Sequence, residues 1–369
     1  MMNRKLKLAM TASILGLCLS FPMASPVTVE ASADWGSIIG AVVGGASAYK
    51  QIDKQMDYVN NTEEGRQEYF AKMKEEQGVS DNAYYNGMLD EIMTNLTNGI
   101  AASDPSIKDK PFLYFLNADT SFNAACGLGH CMTVNIGLFS ISENTDEVAF
   151  VLGHEMGHGM KDHVVKGTRK KLNTIIGAQI AAGALGGGEL ANIAMSAMVG
   201  QINNVQITKK NEWEADNLSF DYCYAAGYNP GAGAALWQRI FEKQGEFKNS
   251  LAGEIFSPND HPGNEERRDN YEKKLVALSG KHVSIKKNSD MVQVNGKDFV
   301  APAAISSMSG AERKYFLMGN LAAAYNHGQD KLSATASDGT VYLGNQAIIT
   351  PTGDDPSAAE LAKRLNEIK

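Results

Sequence analysis

Two histidines four residues apart, His154 and His158 in the segment HEMGH, are the first residues in this chain whose types and spacing suggest chemistry. Positions i and i+4 share a helix face, so both imidazoles can reach one ion. Glu155 follows the first histidine and lies beside such an ion, where a carboxylate can take a proton from polarised water. The preceding EVAFVLG is apolar at positions that bury the helix and turn its histidines toward the core. Buried polar rings need partners, which favours a metal-binding pair over two surface histidines. Zinc held by two histidines needs a third protein ligand and an open position for water. His163 stands five residues after His158, on another azimuth if the helix runs on, so it belongs around the site and not among the ligands. Downstream, Glu212 and Asp216 in NEWEAD are again four apart, with Glu214 on a different face. A carboxylate at Glu212 would complete a His2Glu set for one zinc ion per chain, two solvated acids being the competing reading. Asp216 is spaced to accept a hydrogen bond from a ligating imidazole and fix its tautomer.

The elements that must position these groups can be read from the surrounding pattern. A helix is expected over residues 145–166, capped by Asn144 or Thr145 with Asp146 and Glu147 in its first turn. Residues 59–78 are charged and helix-forming. Residues 81–102 carry Met88, Leu89, Ile92, Met93 and Leu96 on one face, ended by Asp104-Pro105. Pro111 to Asn117 reads as a buried strand. Met132, Val134 and Ile136 alternate with Thr133 and Asn135, which predicts a second, half-exposed strand. Residues 173–202, broken by Gly186-Gly187-Gly188, suggest a helical hairpin near the site, and helices follow over 209–227, 231–246 and 263–278. Beyond Gly280 short strands alternate with two helices, a separate small α+β domain with no cluster suited to chemistry. No repeat of solenoid period is visible.

With 369 residues and 43% hydrophobic content the chain can bury a large core. Its formal charge is −8, and the basic residues Arg4, Lys5 and Lys7 sit in the first few positions, so the remainder is more acidic still. That excludes a general nucleic-acid binder. The basic start, the apolar run Leu8 to Phe21 and Ala31-Ser32-Ala33 form an export signal over 1–33, with a mature start near Asp34 and an extracytoplasmic location. Gly36, Gly40 and Gly44 share a helix face, an N-terminal arm for which peripheral membrane contact is the competing reading. Of Cys126, Cys131 and Cys223, the first two are the expected disulfide pair.

These pieces together resemble the M48 peptidase family, the gluzincin group that includes envelope quality-control proteases and relatives of the CAAX prenyl proteases. DEVAFVLGHEMGH followed by His163 is similar to its active-site helix, EWEAD to its third-ligand motif, and Asp260-His261-Pro262 with Arg267 to its His-Pro segment. Asn123-Ala124 with Val134, Asn135, Gly137 and Leu138 resembles its substrate-aligning edge strand. The family's usual Gly-Gly before that strand is Gly129-His130 here. The resemblance spans roughly residues 80–275. It implies an α+β, mainly helical zincin-type domain over 34–280, with a small sheet whose edge strand lies beside the active-site helix, and leaves 281–369 as the small C-terminal domain. It implies His154, His158 and Glu212 as metal ligands. It further implies Glu155, His261 and Arg267 as catalytic groups, the latter two as oxyanion donors, and Met132 and Val134 on the edge strand. The activity implied is zinc-dependent hydrolysis of unfolded or envelope polypeptides. A latent zinc-containing chaperone or assembly factor of the envelope is the competing class, and binding of an envelope component through 281–369 a third.

Overall fold

The computed structural model describes residues 45–141, 144–182, 207–243 and 263–369, all within one compact unit. The expected signal over 1–33, the glycine stripe at 36–44, residues 183–202 of the hairpin expected over 173–202, and His261 lie outside them. The architecture is α+β: helices surround a three-stranded sheet, and two further small sheets follow.

Two helices lead in, α1 (Gly45–Asn61) and α2 (Glu63–Gln77), split at Thr62, whose hydroxyl caps α2 through the Gly65 N–H. Next comes α3 (Ala83–Ser103), which buries Leu89, Ile92, Met93 and Leu96 of the expected stripe and Ile100 besides, with Met88 half-buried. The sheet is β1 (Leu113–Asn117), β2 (Ala124–Cys126) and β3 (Cys131–Asn135), ordered β1-β3-β2, with β1 parallel and β2 antiparallel to β3. β3 is therefore the central strand, and the edge strand carrying Met132 and Val134 that was expected is instead paired on both sides. The free edge near the histidine helix belongs to β2. Nor is β3 half exposed: all five of its residues are buried. Its alternating polar residues are satisfied inside the protein, because Asn117 Nδ2 donates to Thr133 Oγ1 at 2.9 Å and Asn135 Oδ1 at 2.7 Å.

After α4 (Gly137–Ile141) the chain enters α5 (Thr145–Met160), capped by the Asn144 side chain on the Asp146 N–H. This helix stops six residues short of the expected end. Asp162 takes a left-handed φ of 52°, and a new helix, α6 (His163–Ala182), begins. α7 (Lys209–Ala225) packs lengthwise on α5. The approach is close because α5 presents Gly153 and Gly157 to it: a Cβ at Gly157 would lie 3.2 Å from Ala215 Cα. α8 (Ala232–Glu242) and α9 (Asn264–Leu278) complete the helical part.

Beyond residue 280 the helices give way to two three-stranded antiparallel sheets. These are β4 (Val283–Ile285), β5 (Val292–Val294) and β6 (Lys297–Val300), then β7 (Ala334–Ser337), β8 (Thr340–Leu343) and β9 (Gln346–Ile349). Each sheet is followed by a helix, α10 (Gly310–Asn326) and α11 (Ala358–Ile368). The unit occurs twice with the same details. The register slips at Val292/Gln293 and at Val341/Tyr342, and each helix opens on a serine, Ser309 or Ser357, bonded to the N–H of a glutamate three residues on. Across the boundary expected near 280, α10 packs on α8 and α9, and one cluster of buried side chains runs through both parts. Arg239 of α8 bridges them with charge, reaching Glu147 of α5 at 2.7 Å and Glu312 of α10 at 3.1 Å.

Candidate metal centre and active site

The centre is built where α5 and α7 cross. His154 and His158 lie one turn apart on α5, and their Nε2 atoms face each other at 3.0 Å. Glu212, in the first turn of α7, brings Oε2 to 3.6 Å from His154 Nε2 and Oε1 to 3.4 Å from His158 Nε2. A Thr208–Asn211 capping box fixes the start of that helix, and thus the height at which Glu212 enters. All three residues are buried, and this trio is the cluster among the described residues able to hold a metal, its ligand atoms within 4.8 Å of one another.

Does a metal fit? Ligand bonds near 2.1 Å at tetrahedral angles imply ligand–ligand spacings of about 3.4 Å. The observed 3.0, 3.4 and 3.6 Å bracket that value. The protonation chemistry agrees. His154 Nδ1–H donates to Asp216 Oδ1 at 3.0 Å, leaving its Nε2 as a lone pair. Two imidazole nitrogens and a carboxylate thus converge on one point that calls for a cation. Burial pushes both rings toward neutrality. At His154 the hydrogen bond and charge of Asp216, with Glu212, outweigh burial and raise the pKa, whereas burial and the neighbouring His154 hold His158 well below the usual histidine range.

Asp216 was expected to brace an imidazole and is in place to do so. Burial opposes its charge, but the guanidinium of Arg267 beside it and the His154 hydrogen bond hold its carboxyl below the usual range. Arg267 Nε donates to Asp216 Oδ2 at 2.7 Å, its Nη2 contacts Oδ1, and its plane lies 4.0 Å over the Trp237 ring. Arg267 was expected as an oxyanion donor. The structure instead buries it behind the histidines, 1% exposed, with Asp216 in its fork and its Nη1 3.8 Å from Glu212 Oε2, a place suited to positioning the ligands.

Glu155 is aimed by the sheet. The N–H of Cys126 on β2 donates to Glu155 Oε2 at 3.1 Å, and burial pushes the Glu155 carboxyl up to about 7. Asn123 C=O and Gly127 N–H turn inward to β3, at 3.0 and 2.8 Å from Asn135 N and Cys131 O. The backbone groups of Ala124 and Cys126 therefore point the other way, to the α5 side. The register also settles the thiols. Cys126 lies opposite Met132, so Cys126 and Cys131 point to opposite faces of the hairpin, and the expected disulfide is absent: Cys126, Cys131 and Cys223 are all free and buried.

The turn joining β2 to β3 is held from outside. Gly129 and His130 both have positive φ, 64° and 57°. Gly129 N–H donates to Asn60 Oδ1 at 2.9 Å, and its carbonyl accepts from Arg66 Nε at 2.6 Å. A Cβ at Gly129 would meet Val59 O at 2.8 Å, so glycine is required here on two grounds. His130 stacks on Phe112 at 4.4 Å and donates Nδ1–H to Lys110 O at 2.8 Å. Neither Asn60 nor Arg66 was singled out in the sequence. The only signal is an arginine inside a helix with a buried face, Tyr69 and Met73 beside it.

A pair of helix-borne histidines with an acid between them, completed by a carboxylate from a second helix, defines a metal-dependent peptidase of the HExxH class. Comparison with known proteins refines this: a model of peptidase family M48 matches residues 74–274, and the chain belongs to that family. It is 30% identical over 189 residues to metalloprotease LoiP of Escherichia coli K12, covering 51% of this chain and 72% of that one. A putative beta-barrel assembly-enhancing protease of Vibrio cholerae serotype O1 is 24% identical over 243 residues, and the mitochondrial metalloendopeptidase OMA1 of Arabidopsis thaliana 30% over 145. The matches cover 63% and 39% of this chain but only 46% and 28% of those two relatives. The chain is thus a metalloendopeptidase acting on polypeptides.

Proposed function

We propose that the chain is a zinc-dependent endopeptidase of the cell envelope, exported by its N-terminal segment and acting on unfolded or envelope proteins. The observation that carries the zinc is the trio of facing ligand atoms from His154, His158 and Glu212 with Glu155 beside it. The basic and apolar N-terminal run supports export, and the assembly-enhancing name of several relatives supports envelope substrates.

His154, His158 and Glu212 would hold the zinc, which when bound would supply Lewis acidity toward a carbonyl and water. Glu155, held by Cys126 N–H, accepts the proton from the attacking water and passes it to the leaving amine. The outward backbone groups of Ala124, with the carbonyl of Cys126 whose N–H is kept by Glu155, bind the substrate as an added antiparallel strand. Asp216 and Arg267 keep His154 in one tautomer. His261, from the His-Pro segment, is the family-suggested oxyanion donor. The decisive experiment is Glu155→Gln in the full chain: casein cleavage falls by at least about a thousandfold while one zinc per chain is retained. Undiminished cleavage overturns the reading.

One observation favours a second reading. His154, Glu155, His158 and Glu212 are only 4–7% exposed, which suits a latent zinc-containing chaperone or assembly factor whose site opens on demand. Casein digestion with and without a chelator separates the two, since a latent protein holds zinc yet leaves casein intact.

A further inference from the structure

The two imidazoles at the centre are braced unequally. His154 leans directly on a carboxylate. His158 leans on another imidazole: its Nδ1 lies 2.9 Å from Nδ1 of His163, with the rings 5.0 Å apart and 73° to each other. The far nitrogen of His163, Nε2, lies 3.4 Å from Oε2 of Glu214. His163 is buried, 2% exposed at its side chain, whereas Glu214 is 42% exposed.

The helix break makes this contact. On a continuous helix residue 163 would sit on a different azimuth from residue 158. The left-handed Asp162 ends α5 and restarts the chain as α6, returning the first side chain of the new helix to the ring of His158. Asn60 Nδ2, 3.2 Å from Asp162 Oδ1, ties that corner to α1.

We propose that His163 and Glu214 form a positioning relay that fixes the tautomer and ring orientation of His158, an inference that rests on reading His158 as a zinc ligand. Two facing Nδ1 atoms can share one proton only if one donates and the other accepts. For His158 Nε2 to keep a lone pair toward His154 and Glu212, His158 must carry its proton on Nδ1 and donate it. His163 then accepts on Nδ1 and carries its own proton on Nε2, and Glu214 is the group placed to receive it. The order Glu214, His163, His158 is set by the acceptor at its outer end. Reversing it would put a proton on His158 Nε2 and remove a ligand. His163 is not itself a ligand, because the nitrogen nearest the centre is occupied by His158 Nδ1.

The test measures zinc affinity of the full chain by competition with a chromophoric chelator, and the melting of the metal-free protein. His163→Phe keeps a ring but no acceptor, and zinc binding weakens about 10- to 100-fold. His163→Asn restores an acceptor near the position of Nδ1, and affinity returns to within about threefold of the parent chain, a rescue that a purely structural role does not give. Glu214→Ala weakens binding about 3- to 10-fold, as removal of an outer partner should, and serves if His163→Phe does not fold. Metal-free His163→Phe and His163→Asn melt together. Parent-like affinity in both His163→Phe and Glu214→Ala, or an asparagine variant as weak as the phenylalanine one, overturns the relay. His154→Ala is the control: if it leaves zinc binding unchanged, the reading of the metal centre fails and not the relay alone.

Discussion

The site has two walls, and they are held in different ways. The helical wall, α5 with α7, carries the histidines and Glu212, and its support comes from Asp216 and Arg267, all inside the segment that matches the family. The strand wall, β2 with its turn, aims Glu155, and both backbone groups of Gly129 in that turn are held by Asn60 and Arg66 of the N-terminal helices. Those helices lie almost wholly before residue 74, where the family match begins. The ligands are therefore braced by a charge network inside the matched segment, while the strand beside Glu155 is braced by helices that lie mostly outside it. Metal binding and alignment beside Glu155 should be separable by mutation.

The largest effect is expected on the helical wall. Arg267→Met leaves Asp216, fully buried, with the His154 and Tyr271 hydrogen bonds but no cation beside it. Removing one partner of a buried pair costs roughly 3–5 kcal/mol, to be read from urea denaturation of the metal-free protein. Adding Asp216→Asn should recover part of that loss, since the stranded charge goes with it. A loss below about 1 kcal/mol would mean that this wall is not the rigid one.

How much of this was legible in the sequence follows from how local each feature is. His154, Glu155 and His158 are set by one turn of helix, which spacing alone marks, whereas Glu212 and Asp216, one turn of another, needed the likeness of EWEAD to the family's third-ligand motif as well. The break at Asp162 was not legible, because residues 145–166 are good helix formers and the left-handed residue is stabilised by Asn60, about a hundred positions away. A continuous helix would carry His163 away from His158, so the contact between the two rings was not legible either. The strand order failed for a similar reason. β2 is the short run Ala124–Cys126, with no alternation to mark it, and the parallel pairing of β1 with β3 is a long-range choice. Arg267 was given by the resemblance as an oxyanion donor, and its enclosure by Asp216 and Trp237 depends on helix packing that its local segment EERR does not show. In the C-terminal part the strands with aliphatic alternation were found. β6 and β9 were not, although turn residues precede each of them, Asn295-Gly296 and Gly344-Asn345.

A second, pH-dependent test falls on the strand wall. Burial, with the charge of Lys110 nearby, pushes His130 down to about 4, while an unfolded histidine titrates near 6.5. Between those values the unfolded chain binds the extra proton and the folded one does not, so stability rises with pH through the window. The contribution is complete above about pH 6.5 and is withdrawn as pH falls toward 4, by about 3 kcal/mol in all. His130→Asn tolerates the positive φ and cannot titrate, so its urea midpoint should fall less steeply over that window. Equal slopes in the two proteins would show that this ring is not the acid-sensitive group of the turn.

The smallest expected effect is the most discriminating. Arg66→Met removes the donors to Gly129 O and Pro111 O while keeping most of the buried stem. The buried Gly129 carbonyl and the partly buried Pro111 carbonyl then lose a charged partner, at a cost of about 2 kcal/mol overall, some of it recovered by water entering the turn. Hydrogen exchange should quicken at the amides of residues 127–131 before it does in α5, because the turn loses its outer clamp while the helix keeps its own partners. Zinc affinity should stay within about twofold, since Asp216, Arg267 and His163 are untouched, whereas KM for an extended peptide should rise about three- to tenfold with a smaller change in kcat. That split is the signature of a strand that aligns substrate without holding metal. If Arg66→Met instead loosens zinc as much as Arg267→Met does, the two walls are one mechanical unit, and the N-terminal helices brace the metal centre as well as the strand.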